Sequence, residues 1–284
     1  MNVGIDAGRS FAKIMSDKHK ILFEAAIGEW RERKLTNEAS KEKYDVSING
    51  KKYFVASLAA ESPFRRRMGV SSKVTEETQV LILTAAALVA QPGTNLKVVT
   101  GVPIDQHTVE VKQQLTALIK GHHDMIVSGR KVNFAISEVA FVAEGCAAYW
   151  DLVLDNKGQP ANPKLTKGKV RMIDIGSRTI NIGTIVDQKY LALESETVPF
   201  GLVKLLGEQP NPSEDDKQAC VKYLQAKLGW MEDNDAQLIF TGGGASALEK
   251  QIKAMFPSAI IPKEPAFSNA RGLFKMGQFK WPGK

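Results

Sequence analysis

The chain has 284 residues, 43% hydrophobic and 24% charged, the balance of an ordinary globular protein with one large core or two smaller ones. Its longest apolar run, residues 80–90, is about half the length a bilayer-spanning helix needs, and two cysteines, Cys146 and Cys220, make no disulfide framework. A net charge of +7 leaves open both a plain colloidal surface and contact with acidic partners.

In chain order, residues 2–7, 10–16 and 20–26 predict a three-strand meander. Asp6 comes early and no basic leader precedes an apolar stretch, so the N-terminus reads as lacking a secretory signal. Residues 30–44 are dense in charge with no apolar stripe and read as an insertion or a short exposed helix. Asn49-Gly50 between residues 45–48 and 52–56 is a type I′ hairpin signal. Arg65-Arg66-Arg67 reads as a solvated loop or a subunit contact. Thr75 caps a helix over residues 75–90, with Glu76 and Glu77 in its first turn, apolar on most sides and therefore buried. A buried strand at 96–100 leads to Gly101-Val102-Pro103. An amphipathic helix follows at 105–119, then a hairpin from residues 125–127 and 132–136 around Ser128-Gly129-Arg130.

A short strand at 139–142 runs into a helix at 144–153 with small residues on one face. Residues 155–168 read as an exposed loop. Strands follow at 170–175, from 179 to 186, and at 190–197. Helices begin near Leu202 and Ser213, the second ending near Gly229. A strand at 237–240 meets Gly242-Gly243-Gly244, and helices at 246–255 and 266–276 close the chain. Strand meanders followed by strand–helix units predict an α/β duplication around mixed sheets.

Two stretches carry the chemistry. Ile173-Asp174-Ile175-Gly176-Ser177-Arg178 delivers a carboxylate and a glycine to the bend of a hairpin, and Ile5-Asp6-Ala7-Gly8-Arg9-Ser10 has the same layout. Glycine lets backbone N–H groups approach phosphate oxygens, and a carboxylate holds Mg²⁺ directly or through water. Taken alone, each stretch also has the composition of an ordinary hairpin. The repeat suggests two similar halves, each giving one phosphate hairpin to a shared cleft. Glu144 stands at a strand-to-helix junction. The glycines 242–244 would let a ribose or purine lie against bare backbone with a helix N-terminus toward phosphate. His122 and His123 fall on opposite faces of a strand, which argues against a metal there; His19 and His107 read as lone surface residues. Cys146 has no activating base beside it and reads as packing.

In register, these features resemble the actin-like ATPase superfamily, and within it the bacterial plasmid-segregating filament proteins of the ParM, StbA and AlfA type. The match rests on Asp6, Gly8 and Lys13; on Asp174 and Gly176; on Glu144 to Tyr149; on Gly242 to Gly244; on Asn269 to Leu273; and on Val99-Thr100-Gly101-Val102-Pro103. The resemblance implies a duplicated ribonuclease-H-like fold, the actin, sugar-kinase and heat-shock ATPase fold, with a nucleotide cleft between two lobes. The first lobe would span 1–142, with a small insertion at about 30–70, and regain 266–284; the second would span 143–265. Only residues 200–236 fill the place of the family's extra subdomain (IIB), which is thus reduced or absent.

The resemblance further implies ATP or GTP with Mg²⁺, held by Asp6 and Asp174 mostly through water. Lys13 would neutralise phosphate oxygens. The backbones of Gly8, Arg9 and Ser10 and of Gly176, Ser177, Arg178 and Thr179 would grip the phosphates, Arg178 either reaching one or pointing outward. Gly242, Gly243 and Gly244 would meet the nucleoside, and Glu144 would orient the attacking water. It implies a cytoplasmic, filament-forming ATPase that segregates plasmid DNA, its partners being copies of itself and a DNA-binding adaptor at a plasmid centromere. Direct nucleic-acid contact is open but not favoured, and no membrane partner is expected, the basic tail with Phe279 and Trp281 being short for an anchor. Other readings are a sugar or acid kinase of the same superfamily, for which no further loop aspartate is evident, a ribonuclease-H-type nuclease, and a non-motor actin-like scaffold.

Overall fold

The computed structural model describes residues 1–32, 43–67, 72–207, 212–227, 229 and 235–283. The chain divides into two compact units, one built from Met1–Gly101 and Gln106–Phe141, the other from Val102–Asp105 and Val142–Pro282.

The first unit opens with β1 (Asn2–Ala7), β2 (Phe11–Met15), β3 (Lys20–Glu24) and β4 (Ala26–Glu29). It continues with β5 (Lys43–Ile48), β6 (Lys51–Ala56), β7 (Arg66–Arg67), α1 (Glu76–Val89) and β8 (Thr94–Val102), then α2 (Val109–Ile119), β9 (Gly121–Val127) and β10 (Arg130–Ala143). Among the described residues its strands form one mixed sheet in the order β3-β2-β1-β8-β10-β9-β5-β6-β4-β7. β1 runs antiparallel to β2 and parallel to β8, and all six of its residues are buried, as expected for a strand with a parallel neighbour and both faces covered.

Only Ala25 separates β3 from β4, yet they lie near opposite ends of that order, so the sheet of this unit curls back on itself. The expected single strand at 20–26 is therefore two. Arg65-Arg66-Arg67 is neither loop nor free patch: β7 pairs with β4, Arg66 bonds Glu76 and Glu77, and Arg65 bonds Glu24. The expected insertion at 30–44 lies mostly outside the described residues, but Trp30 is fixed at its near end, its Nε1–H donating to Asp45 at 2.9 Å under the Lys52 ammonium.

Asn49 and Gly50 both have positive φ, 50° and 82°, the geometry a two-residue type I′ turn demands. Thr75 Oγ1 accepts the Thr78 N–H at 3.2 Å and caps α1, whose Leu81, Ile82, Leu83 and Ala85–Ala87 are all buried. Each buried Leu or Ile there contributes on the order of 2 kcal/mol of transfer free energy. Helix α2 starts four residues later than expected, because Thr108, not a residue near 105, accepts the Val111 N–H.

The second unit holds α3 (Ala147–Val153), β11 (Lys169–Ile175), β12 (Ile180–Val186), β13 (Lys189–Val198), α4 (Leu202–Leu206) and α5 (Glu214–Lys227). It ends with β14 (Ala236–Thr241), α6 (Gly242–Ala247), α7 (Glu249–Met255) and α8 (Pro265–Lys280). Its sheet has the order β13-β12-β11-β14, with β11 antiparallel to β12 and parallel to β14. Ile173, Ile175, Ile180, Ile182 and Phe240 form its core with Val221, Leu224, Leu248 and Ile252.

The expected strand at 139–142 is the end of the long β10, and the helix expected from 144 begins only at Ala147. Gly145, with φ +85°, takes a backbone conformation that no right-handed helix contains. Helix α8 lies within this second compact unit. A Cβ at Gly272 would stand 1.7 Å from the Ala147 carbonyl, so α8 and α3 lie backbone to backbone. Buried Asp151 on α3 collects Ser268 Oγ at 2.8 Å, Arg271 at 2.7 Å and Lys275 at 3.0 Å from α8.

Candidate functional site

In the first unit β1 delivers Asp6 to its end, 7% exposed. The antiparallel register sets Lys13 opposite Asp6, and its ammonium lies 2.9 Å from Asp6 Oδ2. A one-residue slip would send Lys13 to the other face of the sheet, so this pairing is a product of the turn length. Gly8, Arg9 and Ser10 make the turn, all half-buried. A Cβ at Gly8 would sit 2.8 Å from the Phe11 carbonyl, so only glycine closes the bend. The Ser10 carbonyl accepts the Ala25 N–H at 2.8 Å, and Thr100 Oγ1 donates to the Ile5 carbonyl at 2.7 Å. A residue with no motif around it also arrives here: the buried Lys73, just before α1, donates its ammonium to the Ala7 carbonyl.

The second unit repeats the arrangement with more parts. β11 delivers Asp174, 8% exposed, opposite Asn181 on β12. Gly176 donates its N–H to the Thr179 carbonyl at 3.0 Å, and a Cβ on it would lie 2.8 Å from that oxygen. Ser177 is half-buried, Arg178 is exposed and Thr179 is buried. The turn is gripped from outside by the start of α4: Leu202 and Val203 donate N–H groups to the Gly176 and Ser177 carbonyls at 2.9 and 3.0 Å. Gly201 makes that approach, since a Cβ there would meet Arg178 N at 2.6 Å.

Three further segments converge on Asp174. The turn of Glu144 and Gly145 is pinned by the Glu144 N–H on the Val102 carbonyl at 2.8 Å, and a Cβ at Gly145 would be 3.5 Å from Asp174 Cβ. Gly242, φ +84°, stands so close that a Cβ would lie 2.3 Å from Asp174 Oδ1. Gly244 packs on Ile175 in the same way, whereas a Cβ at Gly243 would meet open space. The triple glycine follows β14 and opens α6, with the positive-φ Gly242 at the junction. From α8, Asn269 Nδ2 donates to Asp174 Oδ2 at 2.9 Å.

Asp6, Gly8, Arg9, Ser10 and Lys13 thus come together in the first unit. Asp174, Gly176, Ser177, Thr179, Glu144, Gly242, Gly243 and Gly244 come together in the second, with Arg178 turned outward. Lys73, Gly145, Gly201 and Asn269 carried no predicted site role, although Gly145 and Asn269 lie in stretches that carry the family resemblance. The signal for Asn269 was its place in the stretch Asn269 to Leu273; Lys73 had none. Cys146 is packing: its sulfur fills the space over Gly183, and burial, then the nearby Asp174 charge, pushes its thiol up to about 12. His107 and His19 are half-buried rather than surface residues. Burial lowers the pKa of His107, and His19 Nδ1 shares a hydrogen bond with Ser16 Oγ at 3.1 Å. His123 is buried with Nε2 on the Ile119 carbonyl, while His122 is exposed.

Each hairpin by itself fits a phosphate and a hard cation. Each offers a buried carboxylate beside a turn that has no room for a Cβ, and Mg²⁺ is taken by one or two carboxylates plus phosphate oxygens and water. The second also carries an orphan acceptor, Asn269 Oδ1, buried with no hydrogen-bond partner among the described residues, of the kind that bound water satisfies.

The family model for the N-terminal domain of actin-like proteins matches residues 4–146. The chain therefore belongs to the actin-like proteins. Its fold is shared across nearly its whole length by an apo pSK41 ParM (TM-score 0.80, 19% identity, 98% of this chain and 97% of that one). It is likewise shared by a Bacillus thuringiensis ParM with AMPPNP (0.78, 16%, 98% of each) and by Alp12 in its filament (0.75, 17%, 99% and 98%). No curated protein matches the chain by sequence. Among the described residues no helix is long and apolar enough to cross a membrane.

Proposed function

We propose that this chain is a cytoplasmic nucleotide hydrolase that binds ATP or GTP with Mg²⁺, polymerises, and moves plasmid DNA through a DNA-binding adaptor. The observation that carries the reading is the convergence on Asp174 of a phosphate-type hairpin, the Glu144 turn and the glycine start of α6. The B. thuringiensis ParM with AMPPNP and the Alp12 filament support nucleotide binding and self-assembly as properties to test here.

The bound magnesium nucleotide supplies a polarised γ-phosphorus. Asp6 in the first unit and Asp174 in the second would each offer a carboxylate to Mg²⁺ or its waters. Lys13, already facing Asp6, neutralises phosphate oxygens, and the backbones of Gly8–Ser10 and 177–179 donate to them, Gly176 shaping the turn while its N–H is held by the Thr179 carbonyl. Arg9 adds charge at the first turn, and Arg178, its side chain exposed, contributes its backbone to the second. Gly242, Gly243 and Gly244 meet the nucleoside, Gly243 having the open space. Glu144 accepts a hydrogen bond from the attacking water and orients it, so hydrolysis rests on positioning and electrostatics.

The test is nucleotide binding and phosphate release by the full chain and by Asp174→Asn. We expect Mg²⁺-dependent binding of ATP or GTP, lost with Asp174→Asn. Absence of binding in the unaltered chain would overturn the reading.

A further inference from the structure

Lys73 is 6% exposed and lies in neither phosphate hairpin. Three of its bonds place it. Its ammonium donates to the Ala7 carbonyl, its backbone N–H donates to Gln106 Oε1 at 2.8 Å, and its own carbonyl accepts the Thr75 N–H at 3.1 Å. A lysine ammonium withdrawn from water costs several kcal/mol unless its bonds are good, so a chain that buries one at this spot gains something from its position.

The Ala7 carbonyl belongs to the same peptide unit as the Gly8 N–H. A trans peptide is planar, and its C=O and N–H point in opposite directions. Holding the carbonyl against a cation therefore fixes where the Gly8 N–H points, away from Lys73. A cation on the carbonyl also polarises the amide and makes its N–H a stronger donor. Gly8 is the residue whose surroundings include both Asp6 Oδ1 and the Lys13 ammonium, each within 4 Å of a Cβ built there. Its backbone thus lies beside the carboxylate and the cation of the hairpin.

We propose that Lys73 is a positioning residue of the first hairpin: it clamps the Ala7–Gly8 peptide so that the Gly8 N–H is presented as a phosphate donor. It acts through the peptide and touches no phosphate itself. The proposal rests on the nucleotide-binding reading above, and the two fail separately.

The test uses the full chain, Lys73→Met and Lys73→Arg. Affinity for ADP and ATP with Mg²⁺ is measured by fluorescence titration, and the Gly8 amide is followed by NMR in nitrogen-labelled protein. We expect Lys73→Met to bind both nucleotides about tenfold more weakly, the loss typical of a charge-assisted bond. We expect Lys73→Arg to regain most of that affinity. The Gly8 amide of the unaltered chain should shift strongly when ADP is added, and in nucleotide-free Lys73→Met it should already differ from its native position. A folded Lys73→Met with native affinity would overturn the proposal. So would a Gly8 amide indifferent to ADP in the unaltered chain, which settles the matter even if Lys73→Met does not fold. An unaltered chain that binds no nucleotide would instead remove the functional reading beneath it.

Discussion

At the scale of single residues, Asp174 is where Gly242, Gly145 and Asn269 meet. Gly242 is forced by two constraints, a positive φ and a missing Cβ that would otherwise strike the Asp174 carboxylate. Gly242→Ala should destabilise the fold by about 1–3 kcal/mol and abolish nucleotide binding, read by thermal unfolding and titration; native affinity would separate this glycine from the site. Glu144 is a different case, because its side chain is assigned to water and not to phosphate. Glu144→Ala should keep nucleotide affinity and assembly while phosphate release falls about a hundredfold or more. Normal release would take Glu144 out of the chemistry.

At the scale of elements, the α3–α8 pair is held by Gly272 and the ions around Asp151. Arg271→Ala should cost about 1.5–3 kcal/mol, the loss of bonds to a charged group, because Asp151 keeps Lys275 and Ser268; denaturant unfolding measures it. In the first unit, Glu76 ties Lys51, Tyr53 and Arg66 to the start of α1. The Lys51 bond first, then those of Tyr53 and Arg66, hold its carboxyl down at about 2 against an ordinary 4.5. A folded-state value below the unfolded one means that this stabilisation is complete above pH 4.5 and disappears as pH falls through 2. Glu76→Gln should flatten the loss of melting temperature across that acid range, by a small amount since the group is partly solvated; an unchanged acid limb would contradict the assignment.

These elements also show what the sequence could and could not tell. Asn49-Gly50, the Thr75 cap and the two Asp–Gly hairpins were legible because local backbone chemistry dictates them. The glycine Gly145 at the start of an apparent helix was a signal that the helix begins later. Pairings of distant segments were not legible. Nothing near residue 73 announces a bond to Ala7, and nothing in residues 20–26 says that Ala25 divides two strands placed far apart in one sheet. The assignment of α8 to the second unit likewise depends on Gly272 meeting a carbonyl 125 positions earlier in the chain (272 minus 147).

At the scale of the whole molecule, the family membership and the shared fold make this chain an actin-like protein, and the site residues turn that membership into a claim about energy use. A nucleotide that binds the native chain should also raise its melting temperature in proportion to its concentration over its dissociation constant, with Mg²⁺ required. Assembly is the consequence that matters most. Right-angle light scattering, with electron microscopy of the same samples, should show filaments within the dead time or minutes of adding ATP or GTP with Mg²⁺, and none with Asp174→Asn or with chelator present. Scattering that stays at the baseline for both nucleotides over a wide range of protein concentration, with no filaments on the grid, would contradict the account.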